Sequence, residues 1–160
     1  MAGNGNIDFF CLECYTDKSE VNTLQTEVIK IDRENMDLDA LKRAGEILKS
    51  GGLVAFPTET VYGLGGDGLH EESSRKIYEA KGRPSDNPLI VHVADMEHLE
   101  KIVKKVPKAA YKLAEAFWPG PMTMILEKND LVPYGTTGGL DTVAIRMPSD
   151  PIALELIRQG

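Results

Sequence analysis

Cysteine is scarce in this chain. There are two, Cys11 and Cys14, and they form a single Cys-x-x-Cys. A structural zinc site takes four ligands, and no second pair follows. A redox dithiol wants this motif at a strand-to-helix turn, and the context offers none. A zinc clip between two molecules is one reading of the pair. A reduced, unligated pair in an N-terminal extension is the expected one. Long apolar runs are also missing, so no segment reaches the roughly 20 residues that span a bilayer. No secretory signal is expected, because residues 1–6 lack a basic region and the apolar patch at 7–12 is short and broken. The expected location is the cytoplasm, without membrane contact. Positive charge is in deficit: 18 Lys and Arg stand against 25 Asp and Glu, for a net charge of −7. That argues against a protein that coats nucleic acid non-specifically, while leaving room for a local basic pocket.

Several catalytic signatures are absent as well. There is no G-x-x-x-x-G-K-[ST] phosphate loop, no H-E-x-x-H and no Ser-His-Asp arrangement. Gly63-Leu64-Gly65-Gly66-Asp67-Gly68 matches G-x-G-x-x-G, but that motif needs a strand directly before it. Here residues 57–62 intervene, and the segment reads as a flexible turn.

What is present fits one soluble-type domain. The chain has 160 residues, 42% apolar and 27% charged, enough for a single core. Residues 1–26 lack periodicity and read as an extension whose composition favours disorder; the domain runs over 27–160. Alternation predicts a first strand at 27–32. Asp37 is placed to cap a helix through about residue 49, with Leu38, Leu41, Ala44, Ile47 and Leu48 on one face. Strands are predicted at 53–56, 89–93, 122–127 and 142–147. Helices are predicted at 71–80, from Asp95 to about 103, at 107–117, and from Ser149 and Pro151 to the end. Residues 134–140 read as a glycine- and threonine-rich loop. Strands alternating with helices give an α/β fold with an open sheet of mixed direction.

Two segments carry the chemistry. The first is Lys81-Gly82-Arg83-Pro84, leading through Asn87-Pro88 into the apolar strand that ends at His92. Arg offers a planar fork of donors and Lys a compact charge, and phosphates use both. The prolines stiffen the loop, so less ordering entropy is lost on binding. A polyanion site and a solvated basic turn are both open on these residues alone. The second is Pro57-Thr58-Glu59-Thr60-Val61-Tyr62-Gly63-Leu64-Gly65, which follows a short buried-type strand. Ligands of open α/β sheets bind at such strand ends. Glu59 could serve as a general base or as a ligand for Mg²⁺. Arg146 stands in an apolar strand and needs an anionic partner, which could be Glu59, Asp141 or a substrate carboxylate. His92 could be a satisfied strand residue. His70 and His98 read as surface residues.

Those two segments, together with Thr142-Val143-Ala144-Ile145-Arg146-Met147-Pro148, resemble the YrdC-like family in order and spacing, from about residue 27 onward. Its best-known members are the threonylcarbamoyl-AMP synthases. The resemblance implies the YrdC-like twisted open mixed sheet with flanking helices. It implies that L-threonine, bicarbonate and ATP, with Mg²⁺, become threonylcarbamoyl-AMP and pyrophosphate. The product would pass to a tRNA threonylcarbamoyl-transferase complex that modifies adenosine 37. Lys81 and Arg83 match the catalytic, phosphate-holding positions, with Asn87 and Thr142 as further ATP contacts. Thr60, His92 and Arg146 match L-threonine contacts, Arg146 taking the carboxylate. The family domain continues into a Ser-Ala-Asn motif that these residues lack. The resemblance therefore implies a domain incomplete at its C-terminal end, and a fragment inactive by itself. Two alternatives stand beside the synthase. One is a carbamoyltransferase-type YrdC-like domain, against which the lone Cys pair counts. The other is a module for structured or double-stranded RNA such as tRNA, against which the acidic net charge counts.

Overall fold

The computed structural model describes residues 7–14, 25–59 and 61–160. Two open sheets organise them. The first has the order β2-β1-β3-β4, built from β1 (Ile7–Cys14), β2 (Gln25–Asp32), β3 (Leu53–Phe56) and β4 (Gly63–Gly65). All its neighbours are antiparallel. Residues 1–26 read from sequence as an extension, yet β1 lies inside this sheet. It pairs with β2 from Ile7↔Asp32 to Cys14↔Gln25 and with β3 from Cys11↔Ala55 to Glu13↔Leu53. The strand is hard to read because its sequence, IDFFCLEC, has no clean period of two. Backbone pairing, which any non-proline residue can supply, places it there.

The second sheet has the order β5-β7-β6, from β5 (Ile90–His92), β6 (Thr123–Glu127) and β7 (Thr142–Arg146). β5 runs parallel to β7, and β6 antiparallel. Side chains along β7 alternate. Val143 and Ile145 are buried, while Thr142, Ala144 and Arg146 face the other way. The buried side meets α3 (Met96–Ile102) and α4 (Lys108–Phe117) through Leu99, Ile102, Ala110 and Ala114, with Trp118 and Met124. On the other side, the register partners of Ala144 are Ile90 and Ile125, 45% and 68% exposed. One face of this sheet is thus covered by helices, and the other is largely open.

α1 (Leu38–Lys49) starts where Asp37 accepts the Ala40 N–H at 3.0 Å, as the sequence predicts. α6 (Pro151–Gln159) packs on α1 over Leu41, Ala44, Val54, Ile152 and Leu156. At their crossing stands Gly45, where a Cβ would lie 2.4 Å from the Gln159 carbonyl oxygen. Ser149 was the expected start of this last helix. Asp150 caps it instead, accepting the Ile152 and Ala153 N–H groups at 2.9 and 3.1 Å while Arg33 donates to its other oxygen at 2.8 Å. That leaves Ser149 available elsewhere.

The α/β class with open sheets and flanking helices holds, with the strands divided between two sheets. Two local differences matter. Gly63–Gly65, read as a flexible turn, pairs with β3 as β4. Within the expected 134–140 loop, Tyr134–Thr137 forms a short helix, α5. No helix among the described residues is long and apolar enough to cross a membrane.

Candidate active site

The basic loop is shaped by the end of α2 (Glu71–Lys81). Gly82 closes that helix in the left-handed conformation, φ 57° and ψ 31°, donating to the Glu79 and Tyr78 carbonyls. A residue with a Cβ is strained there, by roughly 1 kcal/mol. The chain then turns, and the Arg83 N–H donates to the Tyr78 carbonyl at 3.0 Å. The Tyr78 hydroxyl donates to the Asn87 carbonyl at 3.0 Å, and Arg83 Nη2 to the Pro88 carbonyl at 3.3 Å. Leu89 then donates to the carbonyl of Thr136, at 3.0 Å. Thr136 is itself buried, with its hydroxyl against Ser74 Oγ at 2.7 Å and the Gly68 carbonyl at 2.9 Å. So α5, invisible in the sequence pattern, anchors the loop and the start of β5 to α2.

Beside this loop lies a cavity of about 540 Å³, lined by Lys81, Arg83 and His92 against apolar walls that include Phe56, Leu64 and Val91. Lys81 is exposed and Arg83 half-buried. Among the described residues lining this cavity, three polar atoms are buried without a hydrogen-bond partner: Arg83 Nε, His92 Nε2 and the Nδ1 of His98, which is half-buried rather than the surface residue expected and stands 3.2 Å from the Asp95 carboxylate. Orphaned buried groups are rare in native proteins and call for a reason. A ligand-facing role provides one.

His92 ends β5, and its register partner on β7 is Arg146. The imidazole stands edge-on to the Phe56 ring, with centroids 5.9 Å apart and planes at 85°. Burial pushes its pKa down to about 4, and the Arg146 charge adds to the fall, against Glu59 and an Ile90 backbone hydrogen bond. At neutral pH the ring is therefore uncharged and keeps one nitrogen lone pair for a donor.

Arg146 pairs with Glu59, and the two side chains are only 12% and 18% exposed. Glu59 extends from the loop after β3, so this ion pair joins the first sheet to the second. Its other oxygen accepts the Ser149 N–H, and the Ser149 hydroxyl at 3.0 Å. Burial pushes the Glu59 carboxyl up. The hydrogen bonds from Ser149 and the charge of Arg146 outweigh that, and its pKa ends below the ordinary value. Asp141, the other carboxylate considered for Arg146, accepts instead from the Tyr134 hydroxyl at 2.9 Å.

Not all the sequence candidates converge. Asn87 is exposed on the loop, and Thr142 sits at the far end of β7; neither lines the cavity, nor does Arg146, whose register partner His92 does. Thr142 shares a face with Arg146, roughly 13 Å along the strand at 3.3 Å per residue. Thr60 lies outside the described residues, as do the side chains of Cys11 and Cys14. His70 is half-solvated against Asp67, as a surface residue should be. Ser149 and Phe56 were missed. Ser149 looked like a helix start, and Phe56 like an ordinary strand residue.

A family model, Sua5_yciO_yrdC, described as "Telomere recombination", matches residues 46–160. The chain belongs to this Sua5/YrdC family. Among its relatives is the threonylcarbamoyl-AMP synthase of Pyrococcus abyssi (strain GE5 / Orsay), 54% identical over 125 residues, covering 78% of this chain and 37% of that protein. The enzyme of the same name from Bacillus subtilis (strain 168) is 52% identical over 121 residues, covering 75% and 35%. This chain thus spans little more than a third of either relative. The crystal structure of P. abyssi Sua5 complexed with L-threonine superposes with a TM-score of 0.76 at 52% identity, over 78% of this chain and 37% of that one. The expected membership of a YrdC-like family is borne out.

Proposed function

We propose that this chain carries the threonine- and phosphate-binding core of an L-threonylcarbamoyladenylate synthase. The observation that carries the reading is that His92, which lines a cavity with Lys81 and Arg83, is the register partner of Arg146 on the neighbouring strand. The Sua5/YrdC relative complexed with L-threonine supports it.

In this reading Arg146 takes the threonine carboxylate and neutral His92 accepts from one of its polar hydrogens. The amine nitrogen bonds to CO₂ from bicarbonate and loses a proton, giving a carbamate. A carbamate oxygen then bonds to the α-phosphorus of ATP while the bond from that phosphorus to the bridging oxygen breaks, releasing pyrophosphate. Such a transfer asks the protein for position and charge stabilisation more than covalent chemistry. Lys81 supplies a mobile charge and Arg83 a braced fork for the triphosphate and the leaving pyrophosphate. Asn87 and Thr142 are the further ATP contacts, and Thr60 a further threonine contact. The product would feed adenosine 37 modification of tRNA through a transfer complex. Mg²⁺ would come with the nucleotide. Among the described residues no three His, Cys, Asp or Glu side chains are grouped to hold a metal. Glu59 is engaged by Arg146 and Ser149. The described residues do not build a resident metal site.

Calorimetric titration tests the reading. Saturable binding of L-threonine and of Mg-ATP is expected, with the threonine site lost in Arg146→Leu. If neither ligand binds the wild-type protein, the reading fails.

A further inference from the structure

The Glu59 carboxylate is held by three donors: the Arg146 guanidinium, the Ser149 N–H and the Ser149 hydroxyl. One oxygen faces the guanidinium and the other faces Ser149. This is how a free carboxylate would be held, with both oxygens satisfied by charge-assisted bonds. The donors come from β7 and from the short connection just before the Asp150 cap of α6. The carboxylate comes from the loop that follows β3 of the other sheet. Arg146 is fixed on a paired strand and Ser149 adjoins the residue that caps α6, whereas Glu59 reaches them from a separate loop.

We infer that Glu59 occupies the seat of the ligand's carboxylate, and that the ligand binds by displacing it. The inference rests on the assignment of Arg146 to the threonine carboxylate. It makes Ser149 a substrate-binding residue, and Glu59 an internal competitor for the same donors. A second consequence concerns selectivity. A ligand must exchange a full carboxylate for that of Glu59, because an amide or ester leaves the guanidinium less well paired than before. Apparent affinity is the intrinsic affinity multiplied by the fraction of molecules in which Glu59 is displaced.

The test combines titration with labelling. L-Threonine is titrated into the wild type, Glu59→Gln, Glu59→Ala, Ser149→Ala and the double variant Glu59→Ala/Ser149→Ala, with circular dichroism confirming each fold. Arg146 modification by phenylglyoxal is followed by peptide mass spectrometry. Removing the competitor should tighten threonine binding by about fivefold or more and speed Arg146 modification. Glu59→Gln keeps the shape and loses the charge, so it serves if the alanine variant unfolds. Ser149→Ala alone should change threonine affinity little, because ligand and competitor lose the same bond. In the Glu59→Ala background the same change should weaken binding about tenfold, as loss of one hydrogen bond to a charged group does. Unchanged or weaker threonine binding in both Glu59 variants overturns the inference, as does an unchanged Arg146 labelling rate. Faster labelling with no threonine binding by any protein keeps Glu59 as the occupant of Arg146 and overturns the threonine assignment instead.

Discussion

His92 and Arg146 are register partners across the parallel β5–β7 ladder, so an uncharged imidazole and a guanidinium share one sheet face. The guanidinium is part of why the imidazole is uncharged. A base placed by one strand is thus tuned by a cation placed by another, and the base lines the cavity with Lys81 and Arg83.

The first prediction is a pH dependence. An unfolded histidine titrates near 6.5, and His92 in the fold near 4. Below pH 6.5 the unfolded chain binds a proton that the folded chain refuses, so stability falls as pH drops from 6.5 to 4. The total is about 3 kcal/mol at 1.36 kcal/mol per pH unit. Glu59, with its lowered pKa, adds a further loss at more acid pH, because its stabilisation exists only while it is ionised. Urea unfolding at pH 7, 5.5 and 4.5 should show the slope. In His92→Gln the part above pH 4.5 should vanish, and a slope unchanged there would refute the assignment.

Arg146→Leu should raise the threonine requirement far more than the ATP requirement. A desolvated carboxylate contact of this type is worth on the order of 2–5 kcal/mol when one partner is removed. Separate titrations of threonine and Mg-ATP measure the two. Equal loss of both would mean that Arg146 matters for the fold or for the nucleotide.

Lys81 and Arg83 should separate in a paired experiment. Lys81 is exposed, so Lys81→Ala should weaken Mg-ATP binding about tenfold while leaving the melting temperature unchanged. Arg83 also donates to the Pro88 carbonyl, so Arg83→Ala should lower both ATP affinity and melting temperature. Unaltered nucleotide binding in both variants would remove the loop from the site.

At the crossing of α1 with α6 there is no room for a methyl group. Gly45→Ala puts a Cβ 2.4 Å from the Gln159 carbonyl oxygen. Overpacking of this kind costs about 1–3 kcal/mol. A melting temperature equal to the wild type would show that α6 can shift at no cost.

Deleting residues 1–14 should lower the melting temperature substantially. β1 stands between β2 and β3, and β2 has no other neighbour in the sheet. Ile31 of β2 is part of the core under α1 and α6. An unchanged melting temperature would restore the view that the domain begins at residue 27.

Local physics made much of this molecule readable in its sequence. The apolar face of α1 at Leu41, Ala44, Ile47 and Leu48 (though not Leu38, which is exposed), the Asp37 cap, the run at Leu53–Phe56 and the strand that became β7 each depend on neighbours within a few residues. The basic loop and the Pro57–Gly65 segment were recognisable as chemistry for the same reason: composition and order alone marked them. Tertiary structure decided the rest. Arg146 had three candidate partners, and Glu59, 87 positions away, is the one it meets. Ser149 went to that carboxylate, 90 positions distant, because Asp150 had taken the helix cap. β1 and β4 exist through backbone ladders that leave no side-chain period, and α5 through buried hydroxyl bonds to Ser74 and Gly68. Periodicity and capping are short-range effects and are written along the chain. The choice of an ion-pair partner or a ladder neighbour depends on which surfaces the packed sheets and helices bring together, and only the folded chain makes that choice.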